Sequence, residues 1–432
     1  MICKNLSINE QGHLCFAGVD TTILAKKHGT PLYVMDEDRI RERCRTYVSA
    51  MREAFGNGAS PLYASKAASF KQIYRIMMEE GMGIDVVSSG EIYTAASVGF
   101  PLENAYFHSN NKTDEDIAYA IDNGIGYFVV DNEEELKAVE KIATERGIIQ
   151  KILLRLTPGI DPHTYEEVAT GKVDSKFGSA IETGQAMAIT EFALSLPHVE
   201  LAGFHCHVGS QVFDSDVFIQ SADIMLEFIK EAEITLGFHT KILDLGGGYG
   251  VRYLESDPVI DIRENILEVG RFVRSHCETI GIDCPAIRME PGRSIVADAG
   301  MTLYTVGTVK RIPGYKNYVS VDGGMADNPR FALYGSPYTV VMASKMNDTE
   351  CFTATVAGRC CESGDIIQEG VSLPASAARG DTLAVLTTGA YNYSMASNYN
   401  RLPKPPMVML EGGCDRIVIK GESFEDVARY DV

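Results

Sequence analysis

Short apolar runs recur through the first two thirds of the chain, at Pro61–Ser65, Gly83–Val87, Ala105–His108, Gly126–Val130, Lys151–Thr157, Leu201–Cys206, Lys241–Leu245 and Ala286–Glu290. Continuous apolar runs of this length read as strands buried on both faces. Between them, apolar residues three and four apart mark helices at Met51–Phe55, Phe70–Glu80, Thr113–Asn123, Glu133–Arg146, Gly184–Ser195 and Ser215–Gly237. Thr113, followed by Asp and Glu, supplies a helix start. Strand and helix alternating in this way predict an α/β fold, a (β/α)8 TIM-like barrel of about 250 residues.

The texture changes after Arg293. Met301–Arg311, Asn317–Val321, Thr353–Ala357, Thr382–Thr387 and Pro406–Leu410 are β-rich and punctuated by Gly and Pro, which predicts an antiparallel sheet or barrel. His13–Phe16 and Pro31–Val34 also read as strands, and an N-terminal segment of this kind can join a C-terminal sheet. The expected division is therefore residues 1–35 joining the β domain, 36–290 forming the barrel, and 291–432 forming the C-terminal β domain. A chain of 432 residues exceeds what one core usually organises.

Composition narrows the function classes. No apolar stretch approaches the length of a membrane span, and the N-terminus Met1–Ser7 lacks a signal-peptide core. Ten scattered cysteines form no disulfide framework, and no CxxC pair points to structural zinc, so a cytoplasmic protein without a metal is expected. A formal charge of −20 argues against nucleic acid. It also means that an anionic substrate needs a local arginine cluster.

Barrel chemistry resides at the C-terminal ends of strands, and reactive residues fall there repeatedly: Lys66, Asp85 to Glu91, His205 and His207, Gly246 to Gly248, and Glu290 to Arg293. A lone lysine after a strand is usually a solvated charge, and a lone Gly-Gly-Gly is usually a turn. Their coincidence at one rim points to a pyridoxal phosphate site. An amine can hold the cofactor aldehyde, glycine amides can cradle a phosphate, and a carboxylate can keep the ring nitrogen protonated.

The chain resembles the fold-type III pyridoxal phosphate decarboxylases, and among them the diaminopimelate decarboxylases. The likeness rests on Tyr63-Ala64-Ser65-Lys66-Ala67, on His163 with Thr170-Gly171 and Ser175-Lys176-Phe177-Gly178, and on Phe204-His205-Cys206-His207-Val208-Gly209-Ser210-Gln211. It continues through Asp322-Gly323-Gly324-Met325, Arg330, Tyr334, Cys361-Glu362-Ser363-Gly364-Asp365 and Gly389-Ala390-Tyr391, and so runs almost end to end. Two departures are visible: Ser109 replaces the usual glycine before Asn110-Asn111-Lys112, and Lys404 interrupts an arginine-containing tail motif.

The resemblance implies that Lys66 holds the cofactor covalently, that Glu290 meets its ring nitrogen and that His207 lies against the ring. Ser210, Gly247, Gly248, the Glu290-Pro291-Gly292-Arg293 backbone and Tyr391 would bind the phosphate. Arg293, Arg330 and Tyr334 would take the substrate's distal carboxylate, Tyr391 would also reach the substrate, and Glu362 would take the distal ammonium. Cys361 would handle a proton together with Lys66, reaching the cofactor across the interface of a homodimer with shared sites. The implied reaction converts meso-2,6-diaminopimelate, at its D-configured end, to L-lysine and carbon dioxide, the last step of lysine biosynthesis. Ornithine, arginine and carboxynorspermidine decarboxylases share the scaffold, and a silent binding protein on it is the reading from another class. Intact Lys66 and Cys361 speak against the second.

Overall fold

The computed structural model describes residues 1–160 and 176–432, so His163, Thr170-Gly171 and Ser175 lie outside the described residues. The described chain divides into two compact units: Met1–Glu42 with Val251–Val259 and Arg293–Val432, and Arg43–Gly250 with Ile260–Gly292. Against the expected boundaries of 35/36 and 290/291, the divisions fall at 42/43 and 292/293. The stretch Val251–Val259, on which sequence periodicity is silent, belongs with the β-rich unit.

The second unit is the barrel. Strands Ser60–Ala64, Gly83–Val86, Ala105–Phe107, Tyr127–Val130, Gln150–Thr157, Val199–His205, Ile242–Asp244 and Ala286–Met289 pair in parallel, each with the next. The ring closes where Arg288 meets Ser60. All eight expected strands are present within a residue or two of their predicted bounds. Inside, Leu62, Tyr106, Val129, Leu153, Ala202 and Ile242 form one buried cluster. Burying each of the Leu, Val and Ile side chains among them contributes roughly 1.5–3 kcal/mol.

Helices pack outside the ring. Thr113 caps Asp114–Asp122 through a reciprocal capping box with Asp116, so two otherwise orphaned backbone donors are satisfied. Helices Ser89–Ala96 and Ile262–Ile280 were not anticipated. In the second, Gly270 lets the helix approach closely, since a Cβ there would lie 2.6 Å from that of Ala54.

The first unit is built on a mostly antiparallel sheet, as expected, with two parallel pairs in it. Its order is Ile366–Pro374, Cys351–Ala357, Tyr318–Val321, Gly300–Lys310, Leu32–Asp36, Met407–Glu411 and Cys414–Ile419. Two pairs are parallel: Tyr318–Val321 with Cys351–Ala357, and Leu32–Asp36 with Met407–Glu411. The N-terminal segment thus joins this sheet through Leu32–Asp36, as expected. Leu14–Phe16 instead lies in a separate three-stranded sheet with Leu6–Ile8 and Val19–Asp20. Leu14 and Phe16 still reach the common core with Leu32, Val34, Leu303 and Val408.

Candidate active site

Four of the sequence-derived residues stand at the C-terminal rim of the barrel. Lys66 is exposed on the single turn Ser65–Ala67 that follows the first strand. Glu290 follows the eighth strand and is buried. Its Oε2 lies 3.3 Å from His205 Nε2, and its Oε1 lies 2.7 Å from His108 Nε2. The second approach is short but off the donor axis, so Oε1 keeps no aligned hydrogen bond. Burial alone would raise the Glu290 pKa, but the charges of His108 and His205 and the close approach of both rings outweigh it and hold the carboxyl well below its usual range. His207, two residues beyond its strand, is pushed well below the usual imidazole range by desolvation and then by the charge of Lys66. It is therefore a neutral ring at physiological pH.

The glycine run is shaped for close approach. A Cβ on Gly247 would meet the carbonyl oxygen of Glu290 at 2.1 Å, so no side chain fits there. Gly246 sits at φ +67°, where a side chain is strained, and its carbonyl accepts from Glu290 N at 2.9 Å. Pro291 O accepts from Ala64 N at 3.1 Å, which ties the 290–293 turn to the strand leading to Lys66. Ser210 lies half-buried in the loop after His207.

A second set lies in the β-rich unit. The buried guanidinium of Arg293 stands over the Tyr391 ring at 4.7 Å and donates to Tyr253 Oη at 2.7 Å. Arg330 stands over the same ring at 5.0 Å and over Tyr334 at 5.4 Å. Among the described residues no carboxylate pairs with Arg330, and its buried Nε has no partner. Two guanidinium groups thus converge on one tyrosine, which itself holds a positive φ of 70°. A bulky residue in that conformation marks stored strain of the kind found at functional sites.

Cys361 and Glu362 are exposed on the turn that follows Cys351–Ala357. Asn400 Oδ1 accepts from Cys361 N at 2.7 Å. Asp365 Oδ2 accepts from Cys360 N, and Oδ1 from Met325 N, both at 2.6 Å. Glu362 is held below the usual carboxylate range by the Gly364 amide and the Ser363 hydroxyl. Among the described residues these two make their contacts with Asn400, Ser363, Gly364 and Tyr399 rather than with the arginines.

Reading the sequence missed His108, Tyr253 and Asn400. His108 directly follows a barrel strand and was reachable by the rim rule that selected Lys66. Nothing in the local sequence marks Tyr253 or Asn400.

The barrel residues fit pyridoxal phosphate: an amine on a turn, a buried ionised carboxylate, a neutral imidazole, and a backbone cradle that a Cβ would fill. Comparison with known proteins agrees. Residues 37–297 match the family model for the pyridoxal-dependent decarboxylase, pyridoxal binding domain. Diaminopimelate decarboxylase of Bacillus subtilis (strain 168) is 44% identical over 98% of this chain and 96% of its own length. That of Mycobacterium bovis is 39% identical over 99% and 97%. The crystal structure of diaminopimelate decarboxylase from M. jannaschii in co-complex with L-lysine superposes with a TM-score of 0.92 at 32% identity, over 99% of this chain and 98% of that one. A lysine/ornithine decarboxylase from Vibrio vulnificus, at 23% identity and a TM-score of 0.76, shares the fold. With this family match spanning nearly its whole length, the chain belongs to the diaminopimelate decarboxylases, pyridoxal phosphate enzymes built on a TIM-like barrel.

Proposed function

We propose that this protein removes one carboxylate of meso-2,6-diaminopimelate as carbon dioxide and releases L-lysine, completing lysine biosynthesis. The observation that carries the substrate assignment is the convergence of Arg293 and Arg330 on Tyr391. Diaminopimelate has a second carboxylate that ornithine and arginine lack. A guanidinium meets a carboxylate through two parallel hydrogen bonds, which fixes position and orientation together. A substrate without that group forgoes these charge-assisted bonds, a far larger penalty than a missing methylene.

Bound pyridoxal phosphate supplies the electron sink for the pair left behind when the carboxylate departs. The protein does the rest. Lys66 Nζ would hold the cofactor through its aldehyde. Glu290 would hold the proton on the ring nitrogen, and neutral His207 would support the ring without adding charge. Ser210, Gly247, Gly248, the 290–293 backbone and Tyr391 hold the phosphate. Arg293, Arg330, Tyr334 and Tyr391 read the distal carboxylate, and Glu362 reads the distal ammonium. Cys361 and Lys66 move the proton that replaces the carboxylate.

We assign a two-fold homodimer as the working form, with Cys361 and Glu362 serving the neighbouring chain's cofactor. Their exposure, together with that of Leu333, Tyr334 and Tyr399, supports this. The free state of all ten cysteines supports residence in the reducing cytoplasm.

The test supplies purified protein with pyridoxal phosphate and compares carbon dioxide release from meso-diaminopimelate, ornithine, arginine and carboxynorspermidine. Release from diaminopimelate is expected, and release from ornithine alone overturns the assignment.

A further inference from the structure

Glu290 is flanked on both carboxylate oxygens, and the closer neighbour has no role so far. His108 is buried directly after the third barrel strand, where its backbone N–H donates to Val86 O at 2.8 Å. Its Nε2 lies 2.7 Å from Glu290 Oε1 and 3.8 Å from Asp85 Oδ1, so one ring nitrogen faces two buried acids. Its ring meets that of His205 edge-on, with centroids 4.9 Å apart and planes at 70°. His205 reaches the other oxygen of Glu290. Asp85, Glu290, His108 and His205 therefore form one buried polar cluster at the end of the barrel where Lys66 stands.

We infer that His108 is a positioning residue for the cofactor: bracketed by Asp85 and Glu290, it holds the Glu290 carboxylate ionised and oriented for the ring nitrogen. The inference rests on the reading of Glu290 as the partner of that nitrogen. A cluster of this kind is a poor way to gain stability, because well-packed apolar residues of similar volume usually serve a core as well or better. It is an effective way to fix the protonation state of one group. Two acids facing one imidazole divide the labour. Burial pushes Asp85 up to about 6, with His108 opposing and Glu290 adding to the rise, while Glu290 is held low. Glu290 thus stays ionised, leaving that carboxylate to accept. The other charged groups acting on the cluster include Lys66, Glu91, Arg155 and Asp244, all of the same unit.

The test begins without cofactor. In apoprotein labelled with 15N-histidine, Glu290→Gln should move the His108 imidazole resonances, identified by their loss in His108→Gln. Unmoved resonances overturn the pairing. Cofactor affinity is then measured by titration for His108→Gln in two backgrounds. A loss of about tenfold is expected with Glu290 intact and less than about twofold with Glu290→Gln in place, since the effect runs through that carboxylate. Equal losses in both make His108 merely structural and sink the inference.

The pH dependence has a sign. Without His108, the Glu290 pKa rises, the carboxyl takes up a proton as pH falls and it no longer accepts. The affinity deficit of His108→Gln should therefore widen from about pH 8 down to about pH 6. A deficit independent of pH counts against it. If Glu290→Gln alone leaves cofactor affinity and absorbance unchanged, the reading of Glu290 fails, while the apoprotein spectra still decide the pairing with His108. Should His108→Gln not fold, His108→Asn takes its place.

Discussion

Asn400 accepts the backbone N–H of Cys361 at 2.7 Å through its side-chain oxygen, reaching back from a turn where its own φ is +52°. The left-handed backbone aims the side chain, and the side chain holds the Cys361 turn. Asn400→Gly should keep the backbone conformation and lose the acceptor. One hydrogen bond at an exposed site is worth about 0.5–1.5 kcal/mol, so kcat should fall roughly 2- to 10-fold while KM moves less. Steady-state carbon dioxide release decides this, and an unchanged kcat refutes the role of this hydrogen bond.

Arg330→Ala should preserve the absorbance of bound cofactor and lose substrate recognition. Removing one member of a buried charge pair costs about 2–5 kcal/mol, which corresponds to a drop in kcat/KM of roughly 30- to 1,000-fold or more. Arg330→Lys should recover only a small part, because an ammonium cannot form the two parallel bonds. A full recovery would show that charge alone suffices.

Lys66→Ala should abolish the visible absorbance of the covalently held cofactor and bring turnover to background. Retained turnover refutes the role of the amine. His207 and Glu290 stay in place in this variant, so residual cofactor binding without that absorbance is the expected result of an equilibrium titration.

Inactive Lys66→Ala and Cys361→Ala chains, mixed and allowed to exchange, should regain activity if each site draws on both subunits. Random pairing makes half the dimers hybrid with one intact site each, so recovery should approach roughly a quarter of wild type. Sedimentation of the same mixture should show a dimer, and recovery that stays at background refutes sharing.

Asp327 predicts a stability effect away from the chemistry. Burial pushes it up to about 7, although the Tyr304 hydroxyl and the Gly324 amide oppose the rise. A carboxyl raised in the fold favours stability below its unfolded pKa and loses that contribution as pH climbs through the folded one. The stability advantage of wild type over Asp327→Asn should therefore shrink between about pH 4 and pH 7, by on the order of 2–4 kcal/mol. Thermal unfolding of the two proteins across that range measures it, and parallel curves refute it.

The barrel was legible because its strands are buried on both faces and its rim residues are chemically unusual. Tyr127–Val130 and Val199–His205 could scarcely be read otherwise. Helix Ile262–Ile280 escaped because Gly270 interrupts a stripe of Ile262, Ile266, Val269, Val273 and Cys277 that is nonetheless buried throughout. Helix Ser89–Ala96 opens on Ser and Gly, and its small residues give a weak pattern. The pairing of Arg293 with Tyr253 depends on the excursion Val251–Val259, and no local pattern reports a contact set by long-range topology. His108 escapes for another reason: it closes the apolar run Ala105–His108 and reads as part of the strand.

The strand Leu32–Asp36 lies between Gly300–Lys310 and Met407–Glu411, both far downstream. At a synthesis rate of about 5–20 residues per second, it emerges from the ribosome tens of seconds before either neighbour exists. The barrel unit, by contrast, is complete at Gly292. The order of birth is thus imposed by the threading. The barrel finishes first, with an apolar strand waiting upstream of it as an unpaired edge. A nascent chain that stalls in that interval carries a ready template for aggregation.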